Sequence, residues 1–266
     1  VKKLPTIPGE SRNYPSAGSS VMLPLSAADN FGSVEILVCG GAQAYCFLYP
    51  AASPEASETC GRITVTSDNP KWEMETMPLK RAMGDMLFLP TGEVLIINGA
   101  KNGCQGWGNA KNAVLSPVVY NPDAADGGRF TTLAATTIPR VYHSTANLLP
   151  DGRVLVAGSN THQFYTFTGD FPTELRVEAY VPDYVDAGDS RPVISGAPDT
   201  VAFGKDFTVQ VTLNNGGGIT AGTVAVSLIS SPFTTHSYSQ GLRFLKLEVK
   251  AVAQADGNGN TYNVAV

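Results

Sequence analysis

Two stretches of the sequence restate one another. "LFLPTGEVLIINGA" (87–100) and "LLPDGRVLVAGS" (148–159) each run apolar strand, Pro-x-Gly turn, apolar strand, glycine. The proline fixes φ and the glycine supplies φ > 0, so the turn is written locally and the flanking runs must be strands. A third, looser version is "VMLPLSAADNFGSVEILVCGG" (21–41), and alignment on the Leu-Pro step gives a spacing of about 60 to 66 residues. A period of that size marks a repeat architecture built from small sheets. Gly41, Gly99 and Gly158 follow the three second strands.

Such units read as kelch-like propeller blades over residues 1–182, with spare residues in loops at 42–62 and 99–114. Three units cannot close a ring, since propellers have four or more blades. Bare strand edges at the ends are a hazard. The expectation is therefore an incomplete ring with upstream blades missing. The first residue is Val1, no signal peptide is visible, and "TYNVAV" ends within a strand pattern, so both ends read as cut.

Near Pro182 the pattern changes. Phe207, Val209, Val211 and Leu213 alternate with polar residues; Val224, Val226 and Leu228 do so again, as do Leu245, Leu247 and Val249. "DGNGN" (256–260) turns the chain toward Tyr262, Val264 and Val266. Short strands at this spacing predict an immunoglobulin-like β-sandwich over 190–266. No amphipathic helix is visible, so the whole chain reads all-β.

Composition narrows function mainly by exclusion. A net charge of −5 with no basic run argues against nucleic acid, and no apolar run is long enough to span a membrane. The four cysteines contain no C-x-x-C pair and permit three pairings. Cys39–Cys60 is the preferred one, closing the loop between them, with Cys46 and Cys104 paired or free. Disulfides imply a secreted setting; four buried thiols in a cytosolic protein is the competing reading.

There are three histidines, His143, His162 and His236. Tyr142 precedes His143, and imidazole with phenol forms a nitrogen–oxygen donor set suited to tetragonal copper(II). Spacing alone gives no reason for residues of separate regions to meet, and a lone histidine is more often a surface or packing residue. "RAMGDMLFLPTGEVLIINGAKNGCQGWG", "IPRVYHSTANLLPDGRVLVAGSNTHQFY", "FPTELRVEAYVPDYV" and "TTHSYSQGLR" together resemble, in order and spacing, the later part of plant glyoxal oxidases. These are copper-radical oxidases related to galactose oxidase.

The resemblance implies that Tyr142 is the axial copper ligand and proton acceptor, and that His143 and His236 are the equatorial histidines. It also implies a radical cofactor, a tyrosine cross-linked to a cysteine, on an R-W-Y-A-T-like segment that this chain lacks. Tyr14 in "SRNYPSAG" shares the R-x-Y spacing of "PRVYHS", but the repeat already explains that echo. Trp107 is a weak candidate for the wall of a substrate channel. His162 reads as a loop residue, Asp85 as a loop anchor, and "NNGGG" (214–218) as a turn, since no phosphate-loop context follows it.

The implied function is oxidation of small aldehydes to carboxylic acids, with O2 reduced to hydrogen peroxide. The implied setting is extracellular, in apoplast or cell wall, with the missing N-terminal portion as partner and this chain inactive alone. The alternatives are a non-catalytic kelch-like module binding protein or carbohydrate, and a galactose-oxidase-like alcohol oxidase.

Overall fold

The computed structural model describes residues 2–186, 191–214, 217–231, 233–255, 257 and 259–266. Apart from two single 3-10 turns, its regular structure is all strand. The strands are β1 (Gly18–Met22), β2 (Leu25–Ser26), β3 (Glu35–Gly40), β4 (Thr59–Thr64), β5 (Glu73–Thr76), β6 (Asp85–Phe88), β7 (Val94–Ile97), β8 (Ala100–Asn102), β9 (Lys111–Ala113), β10 (Val118–Tyr120) and β11 (Phe130–Thr132). They continue with β12 (Ser144–Leu148), β13 (Val154–Gly158), β14 (Glu178–Tyr180), β15 (Val193–Gly196), β16 (Thr208–Thr212), β17 (Val226–Ile229), β18 (Phe233–Thr235), β19 (Tyr238–Gln240), β20 (Phe244–Leu247), β21 (Ala251–Gln254) and β22 (Thr261–Ala265).

Each repeat unit folds into its own antiparallel sheet: β1-β3-β4-β5, β6-β7-β10-β11 and β12-β13-β14. The middle sheet is covered on both faces, which is why its sequence is an unbroken apolar run rather than an alternation. Met86, Phe88, Val94 and Ile96 point to a core shared with Val21 and Leu37 of the first sheet. Their neighbours Leu87, Leu89, Leu95 and Ile97 point to a core shared with Ala146, Val154 and Val156 of the third. Strand periodicity of two thus sends successive side chains into two different cores. Cys39 and Cys60 stand opposite each other on β3 and β4 and are disulfide-bonded.

A buried arginine opens every unit. Arg12, Arg81 and Arg140 each send a guanidinium N–H to the carbonyl ending their own unit's second strand: Gly40, Asn98 and, at 2.8 Å, Gly158. The next residue then reaches the following unit. The Gly41 N–H donates to the Arg81 carbonyl at 2.9 Å, and the Gly99 N–H to the Arg140 carbonyl at 2.8 Å. At Gly99, φ is +91° and a Cβ would run into the Ala82 carbonyl, so only glycine permits the approach.

The expected loops hold more structure than the sequence indicates. The 42–62 stretch ends in β4, and β8 and β9 form a small ribbon within 99–114.

Beyond residue 190, Val209 and Val211 pack with Val264 as the alternation requires, in a sheet ordered β15-β16-β22-β21. Of the turn read at 256–260, residues 256 and 258 lie outside the described residues, as do 215 and 216 of "NNGGG" and 187–190 of the boundary. Two strands depart from the reading. Leu228 is exposed, and in β20 it is Phe244, not Leu245, that is deeply buried. The reason is tertiary: β20 lies parallel to β2, pairing Leu25 with Leu245, and turns Phe244 against Phe88 in the first core. The β18–β19 hairpin likewise joins β1 in parallel, with Ser20 opposite Tyr238. Strands from beyond 190 therefore extend sheets built before it. Among the described residues, no helix is long and apolar enough to cross a membrane.

Candidate metal centre

Both candidate histidines sit at the apex of a tight turn in a conformation that side chains of their size avoid. The Ser144 N–H donates to the Val141 carbonyl at 3.0 Å, making Tyr142 and His143 the central pair of a β-turn. His143 has φ +66°, the left-handed value usual for glycine or asparagine there. It precedes β12 rather than opening it. His236 and Ser237 form a two-residue hairpin turn between Thr235 and Tyr238, with φ +48° and +72°. Positive φ at both positions is the type I′ pattern, which favours Asn-Gly over His-Ser. Such local strain clusters at functional sites.

The two turns meet. Tyr142, His143 and His236 line one cavity of about 310 Å³, together with Met83, Gln105 and Thr234. The rings of Tyr142 and His143 are stacked, with centroids 3.9 Å apart. His143 Nδ1 lies 2.9 Å from the Asn160 carbonyl, which can only accept, so Nδ1 carries the proton and Nε2 presents its lone pair. This orienting hydrogen bond is the usual support of a metal-bound imidazole.

Tyr14 belongs to the same cluster. Its ring meets the His236 ring edge-on, with centroids 5.0 Å apart. Burial first, and then hydrogen bonding to the Tyr14 hydroxyl, push the Tyr142 phenol up to about 12. The R-x-Y echo is therefore structural in origin and still places a second phenol at the site. Tyr14→Phe, which keeps the ring and removes the hydroxyl, is expected to lower the Tyr142 pKa while leaving it above the ordinary value, because burial remains. Carbon-13 tyrosine NMR across a pH titration reads this directly; an unchanged Tyr142 curve would remove the Tyr14 contact.

Gln105 is the wall residue that sequence reasoning missed. Its Nε2 donates to Ser237 Oγ at 3.1 Å, and its Oε1 is buried without a hydrogen-bond partner. Trp107, two residues on, is 60% exposed and is not among the residues lining the cavity. His162 also lies away from the lining, with Nε2 buried and unpartnered. Nothing in their sequence context separates Gln105 from Trp107; the difference is set by the Gln105 N–H, which donates to the Pro15 carbonyl at 2.9 Å.

The hairpin is anchored from below. Ser239 Oγ donates to the Met86 carbonyl at 2.6 Å, and the Tyr238 hydroxyl donates to the Arg12 carbonyl. Buried Asp85 accepts from Asn98 Nδ2 at 2.8 Å and is hydrogen-bonded to Thr234. It thus anchors through side-chain bonds. Desolvation pushes the Asp85 carboxyl up to about 7, outweighing these hydrogen bonds and Arg81. A raised carboxyl binds its proton more tightly folded than unfolded, so the stability it contributes is full below about 4 and is lost as pH rises through 7. Urea midpoints should therefore fall between pH 5 and 8 by more in the parent than in Asp85→Asn, a difference of about 3 kcal/mol at most. Equal falls would show that Asp85 is ionised throughout.

An all-β chain of repeated sheets, whose β18–β19 hairpin delivers a histidine to the cavity lined by Tyr142 and His143, defines a class of protein to which relatives can be compared. The glyoxal oxidase N-terminus family matches residues 1–184, and the galactose oxidase-like Early set domain matches residues 191–266. The chain belongs to the glyoxal oxidase family. The aldehyde oxidase GLOX of Vitis pseudoreticulata is 51% identical over 95% of this chain and 48% of its own length. An aldehyde oxidase of Arabidopsis thaliana is 40% identical over 98% of this chain and 44% of its own. The chain thus spans about half the length of the curated relatives it matches. A fungal alcohol oxidase of the AA5 family, solved in complex with copper, superposes with a TM-score of 0.67 at 20% identity, over 95% of this chain and 48% of that one. At that identity the likeness shows the fold alone.

Proposed function

We propose that this chain is the later part of a copper-radical oxidase of the glyoxal oxidase type, in which Tyr142, His143 and His236 hold copper. The carrying observation is that one cavity brings together two imidazoles and a phenol from turns with left-handed backbone, one imidazole with its Nε2 lone pair left free. On this reading the three sheets are later blades of a kelch-like propeller, divided from the sandwich near residues 182–190. The Cys39–Cys60 disulfide supports an extracellular setting, apoplast or cell wall.

The donor set fits copper(II), a nitrogen- and oxygen-binding ion. When bound, copper supplies Lewis acidity and accepts one electron. The overall reaction is aldehyde plus water plus O2 giving carboxylic acid plus hydrogen peroxide, a two-electron oxidation. The second one-electron centre, the Tyr-Cys cofactor, is expected on sequence outside this chain. Tyr142 Oη is the proton acceptor for the hydrated aldehyde; with its pKa near 12 the phenol holds its own proton unless a cation adjoins it. Gln105 holds the His236–Ser237 turn through Ser237 Oγ and so fixes one wall of the cavity. The aldehyde oxidase relatives favour an aldehyde substrate over an alcohol.

The test is peroxide release on methylglyoxal, with the full-length copper-loaded protein and this chain alone compared. Peroxide from the full-length protein and none from the chain is expected. Turnover by the chain alone, or none by the full-length protein, contradicts the proposal.

A further inference from the structure

We propose that Cys46 and Cys104 close into a second disulfide that pins the loop carrying Gln105 to the loop before β4. The two thiols are fully buried in one small cluster whose other members are Ala42, Ala56 and Ala82. Ser16 Oγ lies 3.9 Å from the Cys46 sulfur and the other cluster members are alanines, so little side-chain bulk surrounds the two thiols. Both thiols are free and belong to one buried cluster; burial raises the Cys104 thiol pKa first, and the neighbouring Cys46 thiol raises it further.

The backbones are already zipped around the pair. The Ala56 N–H donates to the Lys101 carbonyl at 2.7 Å and the Gly103 N–H to the Pro54 carbonyl at 2.8 Å, while Glu55 and Asn102 form an antiparallel bridge. The two loops are thus held together by backbone hydrogen bonds before any disulfide forms. The other two cysteines of this chain are bonded to each other, so within it the pair has no rival partner. Metal binding is the competing use of two thiols, and no group of three His, Cys, Asp or Glu suited to a metal exists among the described residues.

Formation proceeds by exchange with a small-molecule disulfide. One thiol loses its proton and attacks a sulfur of oxidised glutathione, releasing one glutathione thiolate; the second thiol then displaces the other. Two glutathione molecules leave and one protein S–S bond remains. Because buried, protonated thiols are poor nucleophiles, exchange requires transient opening of the 42–56 loop. The consequence reaches the cavity. Gln105 follows Cys104 directly, lines the wall, and holds Pro15 through its N–H and Ser237 through its side chain.

The test uses the full-length protein equilibrated in a glutathione redox buffer at an oxidising ratio, then denatured, capped with N-ethylmaleimide and digested without reductant. The Cys39–Cys60 peptide pair reports that oxidation was complete. A Cys46–Cys104 linked peptide is expected, together with amide exchange at 105–107 at least tenfold slower than in Cys46→Ala/Cys104→Ala. Maleimide on both cysteines, separate glutathione adducts on each, or shuffling onto Cys39 would overturn the assignment. A linked peptide with unchanged exchange would overturn its effect on the Gln105 loop. None of these readouts involves copper, so the inference stands or falls apart from the proposed activity.

Discussion

Arg140→Ala is expected to lower the unfolding free energy by about 1–3 kcal/mol, the usual cost of leaving a buried hydrogen-bonding group unpaired. The side chain is 1% exposed, and its Nη2 and Nε donate to Glu178 Oε2 at 2.8 and 3.2 Å. Its Nη1 also serves the Gly158 carbonyl at 2.8 Å. Truncation leaves the Gly158 carbonyl without its partner and removes two donors from Glu178, which is 31% exposed and keeps the Thr136 hydroxyl at 3.0 Å and Arg176 nearby. Arg140→Lys keeps the charge but cannot make three donations in one plane, so it should fall between parent and alanine. The contrast is Arg153→Ala. Its pair with Asp151 is about half exposed on both sides, and its loss is expected to leave the unfolding free energy nearly unchanged. Urea unfolding curves with matched slopes distinguish the two; equal costs would show that burial does not set the strength of these pairs. Because Arg140 lies two residues before Tyr142, its loss should also weaken copper binding.

His143→Asn and His236→Asn are each expected to reduce copper affinity more than about 100-fold, beyond the effect of losing an outer-shell partner, without destabilising the fold. Asparagine adopts the left-handed region more readily than histidine, so both variants relieve backbone strain. A melting temperature equal to or above the parent's, with copper lost, separates a ligand from a structural residue. Alanine would confound the two, because it adds strain while it removes the ring. Peroxide release by the full-length protein should vanish with the copper. Chelator competition checks the affinities, and retention of tight binding in either variant would remove that histidine from the site.

The parts of this fold legible in the sequence are those fixed by neighbours in the chain. The Pro-x-Gly turn sets φ at its first and third residues, and the apolar runs on either side of it within 87–97 declare strands buried on both faces, so the repeat could be read directly. The alternation of 207–213 likewise names its own buried face. What lies across the fold was hidden. Phe244 is buried and Leu245 is not because β20 lies beside β2, more than 200 residues earlier in the chain. The arginine staples are invisible as a pattern because each donates to a backbone carbonyl, which carries no side-chain signature. The hairpin apex at His236 lacks the Asn-Gly that would have announced a type I′ turn, since histidine occupies the place of the favoured residue. Tyr142 and His143 were conspicuous only through family resemblance. Tyr14 and Gln105 join them through contacts that depend on three separate sheets coming together.

Copper(II) electron paramagnetic resonance of the full-length protein, on parent and on His143→Asn/His236→Asn, is the most direct test that Tyr142, His143 and His236 form one centre. The account predicts one copper per chain with superhyperfine coupling to two imidazole nitrogens in the parent, and no such tetragonal signal in the double variant. A parent that binds no copper, or a spectrum unchanged by the double substitution, would contradict it.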